Sequence, residues 1–511
     1  MVTDSYMIGV DIGTTSTKAV LFNGNGSAIN QATVEYPLFS TKVGMAEQDP
    51  KEIFRAVQYV MKKCQQIHSD QLITISFVSF SSAMHSLMAV DKEGEPLTRL
   101  ITWADQRASS VMDSLEENEA LQIYQRTGTP IHPMSPFIKL RWLKNEYPDM
   151  FQSADKFISI KEYIFYKLFG QYVIEYSMAS TTGLFHLENR QWDDEALAVC
   201  EIDSSKLSRL VPTTYKLTSF HKQYEQALSL PAETPFYIGA TDGVLSNLGV
   251  NAITPGVFAL TIGTSGALRT VVRKPLTHNE GKSFCYTLVD DYWVIGGPVN
   301  NGGIVLRWVK EQLARDVAEE AVTLGVDPYD HLLQIASQSS PGANGLLFFP
   351  YLTGERAPLW DADARGSFVG LSLHHTKADM IRAVLEGITF NLYMVYETLE
   401  KHIDTPRCLQ ATGGFSRSPF WRQLVADIFG LEVLVPESYE SSCLGAVILG
   451  QYGEGTLKSL HAVKEIVGTL HRHDPNQIKH EVYQKTYSLY KQMTNALQPT
   501  YKELAQWQKS L

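Results

Sequence analysis

The chain has 511 residues, a formal net charge of −11, and 44% hydrophobic against 19% charged residues. That length exceeds the ~250–300 residues at which a single hydrophobic core stops growing, so two large domains are expected, 1–251 and 252–511. The acidic balance speaks against a nucleic-acid partner or an anionic membrane surface, either of which needs a basic footprint.

Five scattered cysteines (Cys64, Cys200, Cys285, Cys408, Cys443) with no CxxC pair argue against a disulfide framework or a zinc site. The N-terminal residues carry no basic leader and no apolar run reaches the ~20 residues of a membrane helix, so a soluble cytoplasmic protein is expected.

In chain order, Met7 to Ile12 reads as a strand, Gly13-Thr14-Thr15 as a turn, and Ala19 to Phe22 as a second strand. Asn25-Gly26 marks a turn before a third strand from Ile29 to Tyr36. Pro50 to Cys64 has helical spacing, and Leu72 to Phe80 is a continuous apolar strand. Strands followed by amphipathic helices predict an α/β architecture.

Past Thr254-Pro255-Gly256 a fresh strand, Val257 to Ile262, ends in Ile262-Gly263-Thr264-Ser265. This echoes Ile12-Gly13-Thr14-Thr15 at an offset of 250, and predicts two related domains facing a shared cleft. Thr376 to Lys401 reads as a long helix with a Thr376/Asp379 capping box. A short strand, Leu409 to Thr412, precedes Gly413-Gly414 and a helix with Ser418 as N-cap and Pro419 at its first position. The tail from Glu481 to Lys509 reads as a polar helix on the outside of the second domain.

Three segments could carry chemistry. Asp11 to Lys18 ends a strand in a carboxylate and follows with glycine, hydroxyls and a lysine. Such a turn suits a phosphate, with backbone N–H groups around the anion and the aspartate near a metal. It is neither a Walker A loop nor a Rossmann fingerprint, and a hydroxyl-rich hairpin turn is the plainer reading. The second copy at Thr261 to Gly266 favours the phosphate.

Asp242 follows the apolar strand Phe236 to Gly239 on a glycine-flanked turn, where a general base would be presented; an aspartate holding its own turn is the alternative. Met84-His85 and Trp103-Ala104-Asp105-Gln106-Arg107 each follow an apolar piece. They could line a polyol pocket, Trp for the carbon skeleton and His, Asp and Arg for hydroxyls, although His85 alone also fits a structural role.

With these residues in view, the chain resembles the FGGY carbohydrate kinases over essentially its whole length. Met134-Ser135-Pro136-Phe137-Ile138-Lys139-Leu140-Arg141-Trp142-Leu143-Lys144-Asn145-Glu146 resembles the family's first signature, and Gly366 to Leu371 running on to Asp379 and Ala383-Val384-Leu385-Glu386 resembles the second. Gly354-Glu355-Arg356-Ala357-Pro358 is similar to the family's G-E-R-[TA]-P segment.

The resemblance implies two actin-like, ribonuclease-H-like ATPase domains around a central cleft, with ATP and Mg²⁺. It implies phosphate contacts at Gly13, Thr14, Thr15 and Lys18, with Gly263 and Thr264 on an opposing turn. Gly303, Gly413, Gly414, Phe415 and Ser418 would border the nucleotide, Asp242 would be the catalytic base, and Asp11 and Asp242 would lie near the metal.

Met84-His85 matches the substrate dipeptide of xylulokinases, and Trp103 and Asp105 match a sugar-contacting W-x-D segment. Ala83 and Ser86, however, replace the Gln and Gly usual around Met-His, which speaks against xylulose. Within the family the chain is similar to the gluconate-kinase subgroup, for instance at Thr127 to Met134 and Gly296 to Gly303. That implies D-gluconate as acceptor, with a cation for its carboxylate from Arg107, Lys161 or Arg356. Xylulokinase is the alternative within the family. An actin- or chaperone-like ATPase is the alternative outside it, and the two signatures favour a small-molecule acceptor. A homodimer is left open.

Overall fold

The computed structural model describes residues 5–67, 73–403, 405–437 and 440–511. It divides into two compact units. The first runs to Ile253 and also takes Val272–Ile295 and Glu440–Val467; the second holds Thr254–Val271, the stretch starting at Gly296, and Gly468–Leu511.

The elements that position the site are, in chain order, β1 (Ser5–Ile12), β2 (Ser16–Phe22), β3 (Ala28–Glu35), α1 (Pro50–Cys64), β4 (Thr74–Ser82), α2 (Pro136–Glu146), α3 (Ile160–Phe169), β5 (Lys216–Leu217), β6 (Phe236–Thr241) and α4 (Asp242–Gly249). They continue with β7 (Val257–Ile262), β8 (Gly266–Val272), α5 (Gly303–Trp308), α6 (Lys377–Glu400), β9 (Cys408–Thr412), α7 (Pro419–Phe429), β10 (Glu432–Pro436), α8 (Ser441–Glu454), β11 (Thr469–His473) and α9 (Gln477–Ser510). The α1 span, the β7 span and the Thr376 and Ser418 caps agree with the sequence-based expectation. The start expected for the strand at Leu72 lies outside the described residues.

The first unit's sheet has the order β5-β6-β4-β1-β2-β3. β2 is antiparallel to β1, β4 and β6 follow in parallel, and β5 closes the edge antiparallel. The second unit repeats this sequence of senses: β8 antiparallel to β7, then β9 and β10 parallel, then β11 antiparallel. The two glycine turns at offset 250 are therefore the same β-hairpin in two copies of one topology.

Parallel strands buried on both faces read as apolar runs. Accordingly Ile8, Val10, Ile12, Val78 and Phe80 are buried in the first unit, and Phe258, Leu260, Ile262, Leu409 and Ala411 in the second.

One packing contact brings a distant segment to the first sheet. A Cβ on Gly445 of α8 would stand 2.1 Å from the Leu245 carbonyl of α4, so only glycine lets these helices cross so closely. That crossing sets the N-terminus of α8, with Glu440 before it, beside β2. In the second unit, α9 is less polar than its sequence suggests. Tyr483, Tyr487 and Tyr490 form a buried face, Phe390 of α6 lies among their rings, and the Tyr483 hydroxyl donates to Glu386 of α6 at 3.0 Å.

The five cysteines are free and buried. Among the described residues no helix is long and apolar enough to cross a membrane.

Candidate active site

In the first unit the site grows from the carboxyl ends of three parallel strands, where open α/β sheets present their ligands. Asp11 and Ala240 lie level with Ser81 on either side of β4, and Ile12 and Thr241 lie level with Ser82. At ~4.8 Å per strand, the backbones carrying Asp11 and Asp242 flank the end of β4 about 10 Å apart. Asp242 differs from expectation in one respect. It stands on no free turn but opens α4, and its Oδ1 accepts from the Gly243 N–H at 2.6 Å. A helix start favours its negative charge and fixes its backbone.

Asp11 accepts from the Ser81 hydroxyl at 2.6 Å; burial pushes its carboxyl above the usual range, and Lys18 across the hairpin counters this. Lys18 itself donates to both oxygens of Glu440, at 2.9 and 2.8 Å. The Trp103 indole N–H donates to Thr14 Oγ1 at 2.8 Å, which ties the W-x-D segment to the first glycine turn. Gly13 is held from behind, its carbonyl accepting from the Tyr36 hydroxyl at 2.6 Å.

Lys161 of α3 is buried and donates to Glu175, at 2.5 Å, and to the Ile238 and Ala240 carbonyls of β6, at 3.2 and 3.0 Å. Burial pushes the lysine down and the glutamate up, each held back by the other. The Lys161 charge also acts on Asp11 and Asp242, which places all three in one neighbourhood.

Met84 and His85 leave the end of β4, where the Ala83 N–H donates to the Ile12 carbonyl at 2.8 Å. His85 is buried at φ +64°, with Nδ1 2.7 Å from the Thr181 carbonyl and Nε2 3.4 Å from the Tyr286 hydroxyl. Asp105 is buried as well. It accepts from the Ala46 N–H at 2.9 Å and grips Arg107 through Nε and Nη2, while Nη2 also reaches Glu47. The structure thus makes Asp105 a holder of Arg107.

Of the three cations singled out for a carboxylate, Lys161 is engaged by Glu175. Arg356 lies in the second unit, donating to Asn300 Oδ1 at 2.7 Å and to the Val299 carbonyl at 3.2 Å. Arg107 is held by Asp105 and Glu47, with its guanidinium 4.7 Å from the centre of the Trp142 ring.

In the second unit, three glycine segments converge at the ends of β7 and β9. The Gly303 N–H donates to the Gly263 carbonyl at 2.6 Å and the Ile304 N–H to the Thr264 carbonyl at 3.1 Å, seating the start of α5 on the turn. Gly413 at φ +88° packs against the same turn, and a Cβ there would lie 2.5 Å from the Ile262 carbonyl. Gly263, Thr264, Gly303 and Gly413 are therefore one cluster, with Gly414 exposed beside them. Phe415 is buried edge-on to Trp421, and Ser418 Oγ caps α7 by accepting from the Trp421 N–H at 3.3 Å, so these two hold the turn in place.

Gly413→Ala, strained by about 1–3 kcal/mol in φ alone, is expected to raise the KM for ATP about tenfold and leave the acceptor KM unchanged. Steady-state kinetics in both substrates checks this.

Several residues here carry no assigned role in the sequence reading. Lys139 and Glu355 lie inside recognised motifs, but the motif says nothing of what they hold. Glu355 accepts from the Asn301 and Asn391 amides at 3.0 and 2.9 Å. Glu440 and Tyr286 meet partners hundreds of residues away, and no local pattern announces such a contact. Among the described residues no cluster of three or more His, Cys, Asp or Glu could hold a metal. Asp11 and Asp242 suit a cation of the Mg²⁺ kind, which keeps waters and phosphate oxygens and asks one or two carboxylates of the protein.

Comparison with known proteins identifies the family. The model of the FGGY family of carbohydrate kinases, N-terminal domain, matches residues 6–249, and that of its C-terminal domain matches residues 258–454. A gluconokinase of Bacillus licheniformis is 51% identical over 509 residues, 99% of each chain. The crystal structure of a gluconate kinase from Lactobacillus acidophilus superposes with a TM-score of 0.92 at 40% identity, covering 98% of this chain and 100% of the other. A ligand-bound xylulose kinase structure from the same organism gives a TM-score of 0.92 at 41% identity, with the same coverage. With both family models matched across two copies of one actin-like ATPase topology, the chain belongs to the FGGY family of carbohydrate kinases and is an ATP-dependent phosphotransferase acting on a carbohydrate hydroxyl.

Proposed function

We propose that this kinase phosphorylates D-gluconate to 6-phospho-D-gluconate in the cytoplasm, with Asp242 as general base. The observation that carries the reading is the full-length 51% identity to a gluconokinase, joined to an arginine, Arg107, held by Asp105 and Glu47 and following Trp103 in the chain. A guanidinium held by Nε and Nη2 is pre-aimed, and its remaining nitrogen can serve a substrate carboxylate.

In the mechanism, Met84, His85 and Trp103 orient the sugar acid. Its terminal hydroxyl comes within hydrogen-bond reach of Asp242, whose carboxylate takes the proton as the new O–P bond forms. Gly13, Thr14, Thr15 and Lys18 would offer N–H groups, hydroxyls and charge to phosphate oxygens. Gly263, Thr264, Gly303, Gly413 and Gly414 would offer N–H groups and a hydroxyl to the nucleotide, with Phe415 and Ser418 shaping the turn. Asp11 and Asp242 would hold Mg²⁺, which supplies charge neutralisation at the phosphates.

The test is acceptor choice in a coupled assay with gluconate, sorbitol and xylulose. A single charge-assisted hydrogen bond contributes about 1.5–3 kcal/mol, so kcat/KM is expected to favour gluconate over sorbitol by roughly 10- to 150-fold. Arg107→Ala should remove most of that preference. Equal use of gluconate and sorbitol would overturn the assignment. Preference for xylulose would return the chain to the reading favoured by its likeness to the xylulose kinase structure.

A further inference from the structure

We propose that Lys139 is a positioning residue of the acceptor site: its ammonium clamps together, through their backbone carbonyls, the two segments that present Met84-His85 and Trp103. The inference rests on the reading of those segments as the acceptor side.

Lys139 lies one turn into α2, whose start is fixed by Ser135 as N-cap and Pro136 behind it. Its side chain is fully buried. Nζ donates to the His85 carbonyl at 2.6 Å and to the Thr102 carbonyl at 2.7 Å, with the Ile101 carbonyl further off at 3.5 Å. Just beyond, Leu87 and Ile101 exchange backbone hydrogen bonds at 3.0 and 2.8 Å. The cation therefore closes the open end of a short antiparallel bridge, where the two strands splay apart toward the site.

His85 adds an independent observation. A non-glycine residue at φ +64° costs free energy and persists only where its surroundings enforce it. The Lys139 bond to its carbonyl is one such constraint, and the Nδ1 contact to the Thr181 carbonyl and the Nε2 contact to the Tyr286 hydroxyl are others. Burying an ammonium among carbonyls is itself unfavourable; burial pushes Lys139 down to about 7, with Asp105 opposing that shift and Arg107 adding to it. A methionine of similar length would fill the same space without the desolvation cost. A packing role alone therefore does not account for a lysine, whereas holding two carbonyls does.

The experiment compares wild type with Lys139→Met and Lys139→Gln in steady-state kinetics for acceptor and ATP, with thermal melts of each. In wild type, the acceptor among gluconate, xylulose and sorbitol with the highest kcat/KM is identified first and used throughout, so the result stands apart from which of them it is. The expected outcome for Lys139→Met is a 10- to 100-fold rise in acceptor KM, an ATP KM within about twofold, and a smaller fall in kcat. Lys139→Gln, which keeps an amide donor, should fall between the two. A folded variant with unchanged acceptor KM, or with both KM values raised alike, overturns the proposal. So does failure of both variants to fold, which would assign Lys139 to folding.

Discussion

Replacing Asp242 with asparagine is expected to lower kcat by roughly 10²–10⁴-fold, the range for positioned acid–base assistance. The substitution keeps the shape of the side chain and its place at the start of α4, so the melting temperature should stay close to wild type, as should the ATP KM measured with Mg²⁺ in excess. An attacking hydroxyl shares its proton with the base only in the transition state, hence the loss falls on kcat and not on ground-state binding. Rapid-quench measurement of a single turnover separates this from slow product release. Near-normal turnover in a folded Asp242→Asn enzyme would reduce the carboxylate to capping its own helix through the Gly243 N–H.

The second large effect is one of stability. Lys161→Met leaves Glu175 buried without its cation and removes the donor from the Ile238 and Ala240 carbonyls of the strand leading to Asp242. Breaking a buried ion pair from one side costs about 3–5 kcal/mol. Adding Glu175→Gln should restore much of the loss, because the orphaned charge is then gone, and denaturant melts of the two singles and the double give the coupling.

The sign with pH is also defined. Without Lys161, burial raises the Glu175 carboxyl above its unfolded value, so at neutral pH folding must take up a proton at a cost. That cost fades as pH falls toward the ordinary glutamate range, and the gap between Lys161→Met and wild type should narrow there. A gap that widens on acidification would show that Glu175 is not the group left exposed to desolvation.

Local pattern carried much of the fold. The α1 span, the capping box at Thr376, the Ser418-Pro419 start and both glycine turns follow from side chains interacting with backbone three or four residues away, or from period-two burial. Such signals are complete within a few residues of chain. The turn expected around Asp242 fails for a related reason: Asp-Gly favours both a turn and a helix start, and only packing on β4 and α8 selects the helix. Likewise α9 reads as polar because its tyrosines are amphipathic, and their burial against α6 depends on a partner about ninety residues upstream.

The sequence by itself determined the two-copy α/β architecture, the family and the identity of the strand-end residues, since each is written in short contiguous motifs. Only the tertiary structure decided what those residues touch. Lys18 meets Glu440 because Gly445 lets α8 cross α4 closely, Asp105 holds Arg107, and Lys139 and Lys161 reach backbone carbonyls from separate helices. A backbone carbonyl has no residue type, and a buried cation's partner is set by distance in space, so neither is legible along the chain.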